Sequence, residues 1–96
     1  MVLELGLITV KPGTQADFEV AFATAATDII GAADGFHEYT GHGWGIERPD
    51  TYMFTVRWQS REQHLAAFAP GTPLLAAFEE LVGPFIEAAT FEHYSL

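Results

Sequence analysis

The run Tyr52 to Phe68, YMFTVRWQSREQHLAAF, constrains the fold more than any other stretch, because its hydrophobic period changes partway along. Up to Trp58 the alternation sets Tyr52, Phe54, Val56 and Trp58 on one face and Thr51, Met53, Thr55 and Arg57 on the other, as in a half-buried strand. At Ser60 the pattern switches. Ser60-Arg61-Glu62-Gln63 has the form of a capping box, in which the Ser hydroxyl accepts from the amide three residues on and Gln63 reaches back to the Ser60 amide. A helix is therefore expected from there, with His64 and Phe68 one turn apart on a single stripe. An apolar strand thus feeds directly into a helix that carries an ionisable ring.

The rest of the chain is read outward from that unit. Val2 to Val10 is strand-like with two largely apolar faces: Leu3, Leu5 and Leu7 on one, Val2, Ile8 and Val10 on the other, so both faces call for cover. Glu4 and Gly6 interrupt the second face with a carboxylate beside a gap; Glu4 is a weaker base candidate, since a strand carboxylate more often faces solvent at a sheet end. Lys11-Pro12-Gly13 is a turn. Thr14 and Asp17 resemble a helix N-cap with an acid in the first turn. Phe18, Phe22, Ala25 and Ile29 follow at helical spacing, and the helix is expected to end among Gly31, Asp34 and Gly35.

Phe36 to Ile46 reads as a second strand, with Phe36, Glu38, Thr40, His42, Trp44 and Ile46 on one face. His37, Tyr39 and a glycine stripe at 41, 43 and 45 occupy the other. Such a stripe either admits close approach to the backbone or marks a bulge that bends the strand. The polar turn Glu47 to Asp50 joins it to the third strand as a hairpin. After Phe68, Ala69-Pro70-Gly71 breaks the helix and Thr72-Pro73 restarts it as N-cap and first helical residue. Leu74, Phe78, Leu81 and Val82 form the buried stripe, and Gly83-Pro84 is expected to end the helix with a glycine cap. Phe91 to Leu96 closes the chain as a short strand, with Phe91 and His93 on one face.

The order βαββαβ, with a broken second helix and no linker, predicts one α+β domain over residues 1–96. The expected plan is ferredoxin-like: an antiparallel sheet with the helices on one face. A 96-residue chain buries only about 60–65% of the surface its unfolded form exposes, yet 49% of its residues are hydrophobic. Leu3, Leu5 and Leu7 leave the second sheet face apolar, so two copies are expected to pack sheet to sheet as a homodimer. The net charge of −9, from 13 acids against 4 bases, repels phosphate backbones and anionic lipid, so neither nucleic acid nor a membrane is an expected partner. Absence of Cys excludes thiol catalysis, disulfides and thiolate metal sites. The apolar start contains Glu4 and lacks a basic leader, and no run approaches the ~20 residues of a membrane span. A cytoplasmic location is the expectation.

Trp58-x-Ser60 with His64 and Phe68, then Gly83-Pro84-Phe85 and the closing Glu92-His93-Tyr94, resembles the antibiotic biosynthesis monooxygenase (ABM) family of dimeric α+β barrels. The resemblance runs over nearly the whole chain, including Lys11-Pro12-Gly13 after the first strand. It implies a homodimer with a pocket between helices and sheet and, in some members, oxygenation without metal or flavin, so no cofactor is expected. Other members degrade haem. The quinone-forming and haem-degrading branches use an asparagine, and this sequence contains none. In the haem-degrading branch it sits on the first strand, where the match falls at Gly6, and that branch's second-helix Trp falls near Ala67, so haem degradation is not expected.

Four His residues raise the question of a metal, but His37 and His42 are five apart on one expected strand and point to opposite faces, so no metal site is expected. His64 on the pocket helix and His93 on the last strand are the catalytic candidates. An imidazole near its ordinary pKa of ~6.5 can take a proton from a phenol or enol at neutral pH; the alternative is that both make structural hydrogen bonds at the core edge. Trp58, Phe68, Phe22, Trp44 and Tyr39 are candidates to line an aromatic substrate pocket, or else belong to the core. Arg57 is expected to pair with an acid across the dimer. The functional expectation is a cofactor-independent monooxygenase acting with O₂ on a small electron-rich aromatic, a polyphenol or anthrone. The alternative is a noncatalytic dimeric barrel that binds a small hydrophobic ligand.

Overall fold

The computed structural model describes all of residues 1–96. The elements run β1 (Val2–Val10), α1 (Gln15–Asp28), β2 (Phe36–Trp44), β3 (Thr51–Trp58), α2 (Arg61–Ala67), α3 (Pro73–Val82) and β4 (Ile86–Ser95), with short 3₁₀ turns at Ile30–Ala32 and Gly83–Phe85. The strands form one sheet in the order β2-β3-β1-β4, each neighbour antiparallel. This is the ferredoxin-like α+β plan expected from the element order. None of the helices is long and apolar enough to cross a membrane.

Alternation sorts β1 and β3 as their patterns require. Glu4, Ile8 and Val10 of β1 and Tyr52, Phe54, Val56 and Trp58 of β3 turn under the helices and are buried. Leu3, Leu5 and Leu7 lie half-buried on the opposite face. From the helix layer Phe18, Phe22, Ala25 and Val82 complete the core. Leu74, Phe78 and Leu81 of α3 are only partly buried against it. Gly6 has a specific reason to be glycine: a Cβ there would stand 2.2 Å from Cε1 of Phe54. The Phe54 ring lies across that gap in β1.

Local signals set most helix ends. Ser60 accepts from the Gln63 amide at 3.1 Å and starts α2, although Gln63 turns its side chain to the Ser60 hydroxyl, 3.4 Å away, and the reciprocal half of the box is not made. Thr72 accepts from the Leu75 amide at 3.4 Å with Pro73 following it, so α3 begins as its sequence predicts. Between them Gly71 turns the chain at φ +88°. Thr14 precedes α1 but does not cap it by its side chain, because its hydroxyl donates to the Lys11 carbonyl at 2.6 Å. Gly83 is not a left-handed cap either: at φ −51° it stays helical and passes into the 3₁₀ turn.

Two expectations about strands are corrected. In β2 the register slips between Phe36 and Glu38 and again between Tyr39 and Gly41. These two irregularities bring Phe36, Tyr39, His42 and Trp44 opposite the core-facing residues of β3, so Tyr39 is on the same face as Trp44 rather than the reverse. The last strand begins at Ile86, not Phe91. Ile86 to Thr90 shows no alternation because the strand lies at the sheet edge, and its pairing with β1, continued by the Lys11 amide donating to the Phe85 carbonyl at 2.8 Å, is what makes it extended.

Candidate functional site

The broken helix and the β1–β4 side of the sheet leave an open cavity of about 650 Å³ between them. Phe54, Ile86 and Phe91 from the strands and Phe68, Leu75 and Phe78 from the helical side make its wall apolar and largely aromatic. Its polar groups are Glu4, His64 and His93, with Arg61 and Glu79 on the exposed side. Such a cavity, apolar with a few convergent polar groups, is the usual form of a small-molecule site.

The polar groups are brought together by register and by one helical turn. His93 is directly opposite Glu4 in the β1–β4 ladder, and Trp58 in β3 faces Val2 two residues before Glu4. The Ser60 cap sets the start of α2 so that His64, one turn in, comes down on Trp58 with the rings stacked at 4.4 Å between centroids and 16° between planes. Phe68 stands edge-on to both, at 5.6 Å from His64 and 6.2 Å from Trp58. The indole Nε1–H of Trp58 donates to Glu4 Oε1 at 2.9 Å. The same oxygen lies 3.5 Å from His64 Nε2, and His64 Nδ1 is 2.7 Å from His93 Nε2. The result is a line, Trp58, Glu4, His64, His93, running from the core into the cavity.

Burial decides the charge along that line. Glu4 is 3% exposed, and loss of hydration pushes its carboxyl up to about 7 against the lowering effect of the Trp58 hydrogen bond. Burial, and then the neighbouring His93, pulls His64 down to about 4. His93 is also lowered, first by burial and then by Arg61, with Glu62 opposing. The Glu4–His64 approach has ion-pair distance, but near neutral pH His64 carries no charge, so the contact is not a salt bridge. It is a carboxyl beside a neutral imidazole, the protonation state that proton abstraction requires. His64 turns one ring nitrogen to each neighbour, so the three groups do not converge on a common point, and no cluster of three or more His, Asp or Glu has the geometry to hold a metal ion.

Of the residues singled out in the sequence, His64, His93, Trp58 and Phe68 meet at this cavity. Phe22 and Tyr39 do not line it. They border a separate groove of about 700 Å³ against α1, together with His42 and Tyr52. Trp44 lines neither: it packs edge-on against Phe18 and Tyr52 and donates its indole N–H to Glu19 at 3.1 Å. Glu4, a weaker base candidate ranked below the two imidazoles because a strand carboxylate more often faces solvent, is buried instead. The signal was present in the alternation of β1, which puts Glu4 on the face of Ile8 and Val10. Arg57 pairs with Glu38 of the adjacent strand at 3.2 Å within the chain rather than waiting for a partner's acid.

The profile of the antibiotic biosynthesis monooxygenase family matches residues 1–70. No curated protein sequence matches the chain. Among solved structures, a candidate antibiotic biosynthesis monooxygenase from Bordetella bronchiseptica is similar over 99% of this chain and 95% of its own, with TM-score 0.87 and 27% identity. SnoaB, a cofactor-independent oxygenase from Streptomyces nogalater, is similar over 99% and 91% with TM-score 0.79 and 19% identity. A NIPSNAP domain protein from Burkholderia xenovorans shares the fold at TM-score 0.77 and 14% identity, over 100% of this chain and 94% of that one.

Proposed function

This chain belongs to the antibiotic biosynthesis monooxygenase family, and from that membership we propose that it is a cofactor-independent monooxygenase acting on a small electron-rich aromatic, a polyphenol or an anthrone. The observation that carries the reading is the line of acid–base groups opening onto an aromatic cavity, with His93 at 2.7 Å from a buried His64. SnoaB, with the same fold, is a cofactor-independent oxygenase.

In this chemistry the protein removes one proton and the substrate does the rest. A neutral imidazole deprotonates the phenol or the enol of the anthrone, and the anion gives one electron to O₂. The substrate radical and superoxide combine to form a C–O bond, giving a peroxide, and loss of water from it leaves the carbonyl of the quinone. One oxygen atom of O₂ stays in the product and the other leaves as water, so no external electron donor is consumed. The cavity contributes orientation and a dry surround that raises the strength of the base's contacts. Phe54, Phe68, Phe78 and Phe91 are suited to stacking on an aromatic substrate.

We take the working form to be a cytoplasmic homodimer. In support, Leu3, Leu5 and Leu7 line the open sheet face with Met53 and Tyr94, which are 36% and 45% exposed. Arg57 Nε is buried on that face without an acceptor. A standard interface of roughly 1,600 Å² would cover it.

The test is oxygen uptake on anthrones and hydroquinones, followed with an electrode and by the quinone spectrum. Turnover without added metal, flavin or reductant is expected, and His93→Ala should lower it by ~10²-fold. If the protein binds such aromatics but consumes no oxygen with any of them, the noncatalytic ligand-binding barrel is the correct reading.

A further inference from the structure

Glu4 is a costly residue to bury, and the deprotonation described above does not call for it. A carboxyl under the helix layer, with one hydrogen bond from Trp58, loses hydration that a Gln or Leu would not need. It is also placed in line with two imidazoles whose four ring nitrogens are nearly accounted for. His64 points Nε2 at Glu4 and Nδ1 at His93 Nε2. Nδ1 of His93, a residue that lines the cavity, makes no hydrogen bond within the chain.

We propose that Glu4, His64 and His93 are a proton wire in which Glu4 is the terminal acceptor. The substrate's proton is taken at His93 Nδ1 and a proton arrives on the Glu4 carboxylate, while neither ring ends with a charge.

Hydrogen-bond direction along the line gives the wire two states. With Glu4 ionised, His64 donates Nε2–H to it, His64 Nδ1 accepts from His93 Nε2–H, and His93 Nδ1 is a bare lone pair facing substrate. When that lone pair takes a proton, the Nε2 proton of His93 passes to His64 Nδ1 and the Nε2 proton of His64 passes to Glu4. Three N–H or O–H bonds form and three break, counting the substrate's. Both rings change tautomer and the negative charge moves from Glu4 to the substrate oxygen or carbon. In the second state the protonated Glu4 donates to His64, His64 to His93, and His93 Nδ1–H is now a donor, suited to protonating the peroxide oxygen that leaves as water. The Glu4 to His64 step is 3.5 Å, longer than a made hydrogen bond of about 2.7–3.2 Å. Catalytic contacts are commonly long before substrate tightens them.

The burial that makes Glu4 costly also fits it for this role. An ordinary Glu at ~4.3 facing a phenol at ~10 would accept the proton with an equilibrium near ~10⁻⁶. A carboxyl held at about 7 reduces that deficit to roughly 10⁻³. The titratable groups that line the cavity with Glu4 are His64 and Arg61 from α2, His93 from β4 and Glu79 from α3, while β3 contributes Trp58 and Phe54. Glu62 acts on His93. Only the two imidazoles of this set lie in line with the carboxyl.

This inference rests on the monooxygenase reading for the identity of the proton donor, but its test does not. Two-bond proton–nitrogen NMR of the uniformly ¹⁵N-labelled protein reads the tautomer of each ring. As pH rises through the Glu4 midpoint, His64 and His93 should exchange tautomer together, from Nδ1–H to Nε2–H. In Glu4→Gln the amide oxygen still accepts from Trp58, but the side chain no longer gains or loses a proton, so both rings should hold one fixed tautomer across the same pH range, with oxygen uptake down ~10²-fold or more. A common switch in the wild type without turnover of any phenol or anthrone would uphold the wire and remove the oxygenase. Rings that keep a fixed tautomer through the wild-type titration, or a folded Glu4→Gln protein with full turnover, would overturn the wire. Since the wild-type titration stands alone, a Glu4→Gln protein that fails to fold leaves the inference open to refutation.

Discussion

Replacing Glu4 by Gln should make the protein more stable, and increasingly so as pH rises. The folded state holds the Glu4 proton up to about 7, whereas the unfolded chain releases it near 4.5. Between those values unfolding releases a proton, so stability falls as pH rises. The separation, 7 less 4.5, is about 2.5 units, worth ~3 kcal/mol at 1.36 kcal/mol per unit. His64 has the opposite sign: its folded value of about 4 is below its ordinary 6.5. Unfolding therefore takes up a proton from pH 4 to 6.5, and stability climbs by a similar ~3 kcal/mol. In the wild type the two slopes offset one another between pH 4.5 and 6.5, and the Glu4 loss runs on to about 7. Removing the carboxyl leaves the rising slope of His64, to which His93, also lowered on folding, adds with the same sign. The difference between Glu4→Gln and wild type should accordingly grow from near zero at pH 4.5 to ~3 kcal/mol at pH 8, a large share of the 5–15 kcal/mol typical of a domain. Urea unfolding of both proteins at pH 4.5, 6 and 8, at equal protein concentration, measures it, and carboxylates elsewhere cancel in the difference. A gap that is constant with pH would mean that Glu4 is not the buried, proton-holding group described here.

His64→Ala should lower oxygen uptake on an anthrone by ~10²-fold or more while the protein remains folded; a variant that loses ~1–3 kcal/mol but keeps its specific activity would assign the ring to structure. Gly6→Ala puts a Cβ 2.2 Å from the Phe54 ring and should cost ~1–3 kcal/mol by overpacking, read as a lowered urea midpoint; an unchanged midpoint would mean that Phe54 moves freely. Light scattering at micromolar concentration should give twice the 10.5 kDa chain mass, and a charge on the open sheet face, Leu5→Arg, should return it to one chain. Haemin with a reductant should not yield an open-chain tetrapyrrole above a catalase-treated control, since the Phe54 ring fills the space over Gly6.

Much of this molecule is legible from short stretches because the features concerned are properties of a few neighbouring residues. Alternation along Val2 to Val10 and Thr51 to Trp58 states which side chains share a face, since successive Cβ atoms on a strand point to opposite sides. Ser60 and Thr72 announce their helices because capping is satisfied within three residues. From these alone His64 falls on the buried stripe of α2, and Glu4 falls on the face of Ile8. What they do not contain is where strands far apart in the chain meet. Tyr39 changes face because two extra residues are accommodated where β2 pairs with β3, and glycine-rich sequence does not mark which positions those are. Ile86 to Thr90 is extended only because β1 offers it a ladder. Glu4, His64 and His93 become one line when β4 pairs with β1 in a register that sets His93 opposite Glu4, with α2 laid over Trp58. Period and capping are short-range; register and the burial that follows from it are decided by packing between segments that the chain order keeps apart.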